Sequence, residues 1–121
     1  MPLLRATAAA LAAAALGGCG GSEPAAQARD GRVAIALDDF LIRPQNVRAP
    51  AGELTFEATN RGRLGHNFRV RGRRGEPVAI ATLLPGRSGR QTVTLSPGDY
   101  KMLCTVANHE QLGMTGRLIV R

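Results

Sequence analysis

The amino-acid sequence predicts an all-β sandwich of seven or eight strands. From Arg32 onward, apolar residues recur at every second position in short runs, and glycine and proline separate these runs. Such alternation is typical of strands that bury one face. No stretch shows the period of three to four residues that an amphipathic helix requires. These two observations predict a fold built from strands alone.

Six of the predicted strands have an inward face whose members lie two residues apart. In chain order these faces are Val33, Ile35 and Leu37; Leu54, Phe56 and Ala58; His66, Phe68 and Val70; Val78, Ile80 and Thr82; Tyr100, Met102 and Cys104; Leu118 and Val120. Turns are predicted at Pro85-Gly86 and Pro97-Gly98. Because residues two apart share one face of a strand, His66 and Cys104 are both expected to point into the core.

The N-terminal residues have the pattern of an export signal. One positive charge in Met1–Arg5 precedes an alanine- and leucine-rich run at Ala6–Leu16 that is too short to span a bilayer. Residues 1–18 are therefore predicted to be a signal peptide. The exit sequence Leu16-Gly17-Gly18-Cys19 resembles a bacterial lipobox, which implies a lipoprotein signal peptide and a diacylated Cys19. The alternative is an ordinary signal peptide cut nearby.

The remaining chain is predicted to divide into a linker and one domain. Residues 19–31 are expected to form a lipid-anchored flexible linker, because Gly20–Gly31 is small, polar and without periodicity. Residues 32–121 form the domain. A domain of this size buries only about 60 to 65% of its unfolded surface, so a bound metal would add to a modest stability. The predicted location is the cell envelope, facing the periplasm or the exterior.

Four residues have the types and the spacing of a metal site. Cys104, His109 and Met114 follow one another at equal intervals, and His66 lies upstream. If Cys19 is lipidated, Cys104 has no disulfide partner in an oxidising compartment, and metal ligation explains such a thiol. Two imidazoles, a thiolate and a weak thioether are the ligands of electron-transfer copper sites. The four residues therefore predict copper, with core packing as the alternative for Met114.

Several motifs together resemble a known family. The motifs are His66-Asn67-Phe68, Leu95-Ser96-Pro97-Gly98-Asp99-Tyr100, Cys104-x4-His109-x4-Met114 and Gly116-Arg117-Leu118-Ile119-Val120. They are similar to those of the cupredoxins, the blue or type 1 copper domains that include plastocyanin and azurin. The Cys-His-Met spacing is most similar to that of rusticyanin and auracyanin. The resemblance implies a Greek-key β-sandwich that binds one type 1 copper ion.

The resemblance also implies a role for each matched residue. The implied copper ligands are ring nitrogens of His66 and His109, the Cys104 thiolate and, axially, the Met114 thioether. Asn67 would support the ligand loop through a side-chain contact near Thr105, and such outer contacts orient ligands and tune the metal. Where related loops often have Pro-Gly, this chain has Ala107-Asn108. Asn tolerates a left-handed backbone better than other non-glycine residues.

The chain is strongly basic, with a formal net charge of +7. Between Arg61 and Arg90 there are eight arginines and one acid, Glu76. Export and the scarcity of aromatic residues argue against a nucleic-acid partner. The arginines either form a solvated face or dock to an acidic partner or to anionic lipid headgroups.

The expected function is one-electron transfer by a monomer, between redox proteins such as a cytochrome or an oxidase domain, with an acidic partner as one option. Leu64 and Leu112 are expected in an apolar docking ring around His109, with Arg61 and Arg63 at its border. One alternative is an envelope lipoprotein that holds or delivers Cu(I) without electron transfer.

Two further alternatives involve no metal. A Cys104/His109 dyad would make the chain an enzyme, although no third catalytic group is evident in the sequence. The domain could also be a structural sandwich that binds nothing.

Overall fold

The computed structural model of the chain describes residues 24–121, which form ten β-strands. In chain order the strands are β1 (Ala26–Gln27), β2 (Arg32–Asp38), β3 (Leu41–Arg43), β4 (Asn46–Ala49), β5 (Gly52–Asn60), β6 (His66–Gly72), β7 (Gly75–Leu83), β8 (Ser88–Leu95), β9 (Gly98–Leu103) and β10 (Thr115–Val120). Within this range, no helix has the length and apolar character of a membrane span.

The strands form two sheets. The larger sheet has the order β1-β4-β10-β9-β6-β7, and the smaller has the order β3-β2-β5-β8. Both are mixed, since β4 runs parallel to β1 and β10, and β2 runs parallel to β5. The predicted all-β fold is confirmed. The strand number exceeds seven or eight because β1, β3 and β4 are too short to show a clear alternation in sequence.

The inward faces of the two sheets enclose the hydrophobic core. Alternate residues of β2 and β5 are buried, as the sequence pattern predicts. Phe56 of the smaller sheet meets Phe68 of the larger, with ring centroids 6.0 Å apart. Burying a side chain of this size stabilises the fold by about 1.5 to 3 kcal/mol. The core therefore fixes the register of β6, the strand that begins with His66.

The alternation fails at the end of β7, where Thr82 is exposed instead of buried. The pairing of β6 with β7 contains a register shift, because His66 pairs with Leu83 whereas Phe68 pairs with Ile80. An extra residue on one strand reverses the faces beyond it. Leu83 consequently takes the partly buried position that the sequence pattern assigns to Thr82.

The folded region begins earlier than predicted. Ala26 and Gln27 pair in parallel with β4, Ala28 packs against the core, and Arg29 forms a bridge with Arg32. The predicted linker 19–31 is therefore wrong in its C-terminal part, which adds an edge strand to the larger sheet. The predicted signal peptide and Cys19 lie outside the described residues.

Candidate metal centre

Neighbouring antiparallel strands bring His66 and Cys104 to one end of the sandwich. β6 pairs with β9, so the first residue of β6 and the residue after β9 lie at the same end. Both side chains are fully buried. We call this end of the sandwich the ligand pole, and the inward orientation predicted for the two residues is confirmed.

The loop after Cys104 folds back and returns His109 and Met114 to the ligand pole. The amide of Met114 donates to the carbonyl of His109 at 3.0 Å, and the amide of Cys104 donates to the carbonyl of Met114 at 3.2 Å. The left-handed non-glycine residue of this loop is Ala107, with φ 44°, rather than the Asn108 that residue preference suggests. These bonds fix Met114 across from Cys104, and the Met114 side chain is fully buried.

Three donor atoms of the pole lie within 4.8 Å of one another. The Nδ1 atoms of His66 and His109 are 3.1 Å apart. The Cys104 sulfur is 4.0 Å from Nδ1 of His66 and 3.7 Å from Nδ1 of His109. The structure thus brings together the predicted thiolate and both predicted imidazoles, with the same ring nitrogen of each histidine toward the sulfur.

The lowered pKa of His109 suits metal binding. Burial lowers the pKa of His109, the nearby His66 lowers it further, and Asp39 partly opposes both effects. A ring with a lowered pKa remains neutral at neutral pH and keeps the lone pair that a metal ligand needs. Two imidazoles, the Cys104 thiol group and the Met114 thioether form a mixed soft and borderline donor set that fits copper.

Asn67 and Thr105 form the strand-to-loop contact predicted for them. The Asn67 side-chain amide donates to the Thr105 hydroxyl, and the Thr105 backbone amide donates to the Asn67 carbonyl oxygen, both at 2.8 Å. Because one residue follows His66 and the other follows Cys104, this pair of bonds ties the two ligand-bearing segments together.

Asp39 contacts His66, and the sequence analysis missed it. Nε2 of His66 lies 2.8 Å from Oδ1 of Asp39, on the opposite side of the ring from the cluster. The backbone amides of Arg63 and Leu64 also donate to this carboxylate. The Arg63 amide and then the His66 ring lower the pKa of Asp39 to about 2, so this carboxylate is ionised at neutral pH.

Phe40 contacts the other imidazole and was also missed. Its ring meets the His109 ring edge-on, with an interplanar angle of 81°. Phe40 has φ 64°, a left-handed conformation that is unusual for a bulky residue and that occurs mainly where the surrounding structure requires it. The turn between β2 and β3 thus contacts both histidines, through Asp39 and Phe40.

Asn60 is a third residue that the sequence did not indicate. Its buried side-chain amide holds the turn that precedes His66. Its side chain donates to the carbonyls of Leu64 and Leu83 and accepts from the amide of Gly62, each at 2.8 Å. No buried atom of this side chain lacks a partner. Asn60 therefore joins the 61–65 turn to the end of β7.

Exposed apolar side chains concentrate at the ligand pole. The large apolar residues of 24–121 that are most exposed are Phe40 at 37%, Leu64 at 45%, Leu112 at 51% and Leu84 at 66%. All four lie in turns at this pole. The predicted docking residues Arg61 and Arg63 are exposed in the turn that carries Leu64.

Solved structures with a similar fold include two auracyanins and an azurin. Auracyanin from Roseiflexus castenholzii has a TM-score of 0.70 and 22% identity, with 81% of this chain and 99% of that chain covered. The azurin Az-iso2 from Methylomonas sp. strain J has a TM-score of 0.67 and 14% identity, covering 77% of this chain and 99% of that one. Auracyanin A of Chloroflexus aurantiacus, described as a "blue" copper protein, has a TM-score of 0.64 and 19% identity, covering 75% and 100%.

At these identities the structural likeness concerns the fold alone. No curated protein matches the chain significantly. The family model described as the cupredoxin-like domain, however, matches residues 7–120, nearly the whole sequence. This match, the two-sheet sandwich and the His-Cys-His cluster agree, and the chain belongs to the cupredoxin-like domain family.

Proposed function

We propose that this protein is a blue-copper carrier that transfers one electron at a time between redox partners. The observation that carries the proposal is the buried cluster of His66, Cys104 and His109, whose donor atoms lie within 4.8 Å of one another. Met114 is buried, its backbone is bonded to Cys104 and His109, and its thioether is the proposed fourth ligand. A copper ion held by these four residues would supply a Cu(II)/Cu(I) couple.

The protein's own contribution would be to hold the ligands still. His66 begins a strand, and Cys104 directly follows one. His109 and Met114 belong to a loop closed by backbone hydrogen bonds, and the Asn67–Thr105 pair fastens that loop to β6. Ligands that move little between oxidation states keep the reorganisation during electron transfer small. The same framework excludes water from the cluster.

His109 is the proposed point of electron exit. It is 6% exposed, whereas the other three ligands are fully buried. Phe40, Leu64 and Leu112 surround this end of the molecule as a small apolar surface, with Arg61 and Arg63 nearby. An apolar contact bordered by positive charge suits a brief encounter with an acidic cytochrome or oxidase domain, because electrostatics raises the association rate while the interface remains small.

The proposal places the carrier in the cell envelope, tethered by a lipid on Cys19. The sequence pattern of residues 1–19 supports this location. Mass spectrometry and membrane fractionation of the expressed protein test the lipid tether. A diacylglycerol mass on Cys19 and loss of membrane partitioning in Cys19→Ala support it, whereas an unmodified Cys19 thiol contradicts it.

The burial of the ligands bears on the alternative functions. A nucleophilic cysteine needs access to substrate, but Cys104 is fully buried, which favours a ligand over a catalytic dyad. A protein that delivers Cu(I) must release it readily, and four buried ligands favour retention instead. A measurable reduction potential with slow copper release in both oxidation states supports the carrier, whereas rapid exchange supports copper delivery.

Copper binding is tested by adding Cu(II) to the purified protein and recording visible and electron paramagnetic resonance spectra. Intense blue colour from sulfur-to-copper charge transfer is expected for the wild type, because the Cys104 sulfur lies beside both imidazoles. Cys104→Ser is expected to be colourless and serves as the matched control. A colourless wild type, or one that binds Zn(II) in preference to copper, would contradict the proposal.

A further inference from the structure

The Asp39 carboxylate connects the outer side of His66 to the turn that precedes this histidine. Oδ1 of Asp39 lies 2.8 Å from Nε2 of His66 and 3.1 Å from the amides of Arg63 and Leu64. Oδ2 accepts a second contact from the Arg63 amide at 3.0 Å. The carboxylate is therefore held by the backbone on one side while it faces the imidazole on the other.

We propose that Asp39 is a positioning residue that strengthens His66 as a donor and biases the site toward Cu(II). This inference rests on the proposed copper function. Nδ1 of His66 faces the cluster and Nε2 faces Asp39. Coordination through Nδ1 would leave the ring proton on Nε2, where the N–H would donate a hydrogen bond to the carboxylate. A carboxylate at that position fixes the tautomer, holds the ring plane and raises the basicity of the other nitrogen. A stronger, anion-supported donor favours the more highly charged copper ion.

The negative charge of Asp39 is not cancelled by a neighbouring cation. Within residues 24–121, no arginine or lysine lies within salt-bridge distance of this carboxylate, and His66 is its sole ionic partner. Asp39 is partly exposed, with 30% of its side-chain surface open, so water screens part of its effect. Water screens the charge of Asp39 but does not replace its direct hydrogen bond with His66.

Because Gly62 has no side chain, it leaves the space that the Asp39 carboxylate occupies. A Cβ built on Gly62 would collide with the Asp39 carboxylate and would lie only 3.0 Å from the Asp39 backbone nitrogen. The carboxylate therefore occupies space that any other residue at position 62 would fill. Gly62→Ala is predicted to displace Asp39 from His66 without altering a ligand or a charge.

The neighbouring residue Asp38 offers a matched control. It forms an ion pair with Arg43 at 2.7 Å and contributes no hydrogen bond to either histidine. Asp38→Asn and Asp39→Asn each remove one negative charge from adjacent positions. A difference between the two variants separates the charge-assisted hydrogen bond at His66 from a general change in charge.

The first test is the copper reduction potential of the holoprotein. Asp39→Asn is expected to reduce the preference of the site for Cu(II) over Cu(I) by about tenfold. For a one-electron couple this is a rise in reduction potential of about 59 mV. The blue spectrum should be retained. Gly62→Ala should also raise the reduction potential, and Asp38→Asn should leave the potential unchanged. Equal potentials in wild type and Asp39→Asn, or equal shifts in Asp38→Asn and Asp39→Asn, would overturn the proposal.

A second test needs no copper and separates this inference from the proposed function. Nitrogen-15 NMR of the metal-free protein is expected to show His66 as the Nε2-protonated tautomer in wild type and in Asp38→Asn. That preference should weaken in Asp39→Asn. A His66 protonated at Nδ1 in the wild type would overturn the inference. A wild type that shows the Nε2 tautomer but never turns blue would instead contradict the copper function alone.

Discussion

The ring of Phe40 lies edge-on against the ring of His109, with the two centroids 5.3 Å apart. His109 is the most exposed of the four ligands, and Phe40 reaches it from a turn on the other sheet. Phe40 thus covers the side of the metal centre on which solvent comes nearest. Removing the phenyl ring should open this side without altering a ligand.

For Phe40→Ala, we expect copper to transfer to an added chelator several times faster than in the wild type, because the chelator gains access to the cluster beside His109. The blue spectrum should persist, since the donor set is intact. Leu84→Ala is the control, as Leu84 is exposed at the same pole on a different turn. Equal release rates in Phe40→Ala and the wild type would show that Phe40 does not shield the site.

His109→Ala and His66→Ala should respond differently to added imidazole. His109 lies near the surface, so its removal leaves a hole that imidazole can enter, and the thiolate absorption should return as imidazole is titrated. His66 is fully buried and fixed by Asp39, so no comparable recovery is expected. Visible spectra during the titration measure this, and equal recovery in both variants would contradict the assigned depths.

Met114→Gln should lower the reduction potential and retain the thiolate absorption. The thioether is a weak, soft donor that favours Cu(I), whereas the amide oxygen of glutamine is harder and favours Cu(II). Protein-film voltammetry measures the potential, with Met102→Leu as the control because Met102 is equally buried in the core. An unchanged potential in Met114→Gln would indicate that Met114 only fills the core.

Asn60→Ala should destabilise the fold by about 2 to 4 kcal/mol, because it leaves the carbonyls of Leu64 and Leu83 and the amide of Gly62 without their partner. The exposed Asn108 provides a control, since Asn108→Ala should change stability by less than about 0.5 kcal/mol. Urea denaturation of both variants measures the difference. Equal midpoints would contradict a structural role for the Asn60 side chain.

Electron transfer to an acidic partner should slow as salt rises, since screening weakens the attraction between exposed charges. Arg61→Glu with Arg63→Glu should slow it further at low salt and leave the copper spectrum unchanged. Leu112→Glu should impair transfer even at high salt, because it places a charge within the apolar contact. Stopped-flow rates that are insensitive to salt and to these charge reversals would leave the arginines as a solvated face.

The parts of the structure that the sequence predicted follow repeating patterns or fixed spacing. Alternation assigned the buried faces of β2 and β5, because a strand that buries one face repeats every two residues. The same parity oriented His66 and Cys104, and the equal spacing after Cys104 identified the remaining ligands. Each of these inferences uses residues that are close in the chain.

The parts that the sequence analysis missed depend on single polar residues or on irregular pairing. Asp39 and His66 are far apart in the chain, and one aspartate in a turn has no periodicity that marks it as a partner. The exposure of Thr82 follows from a register shift between β6 and β7, which the hydrophobic pattern of one strand does not contain. The edge strand at Ala26 is only two residues long and becomes recognisable once β4 is beside it.

The position of this edge strand limits how far an anchored domain would lie from the membrane. β1 runs parallel to β4 and β10, and Ala26 is level with Val47 and Leu118, beyond the middle of β10 as counted from the ligand pole. A lipid on Cys19 would leave six residues before Ala26, a reach of at most about 25 Å at the full extension of a chain. A domain of this size is itself about 30 Å across. This tether would therefore be shorter than the domain it holds, and would keep the Ala26 edge of the larger sheet within about 25 Å of the bilayer surface.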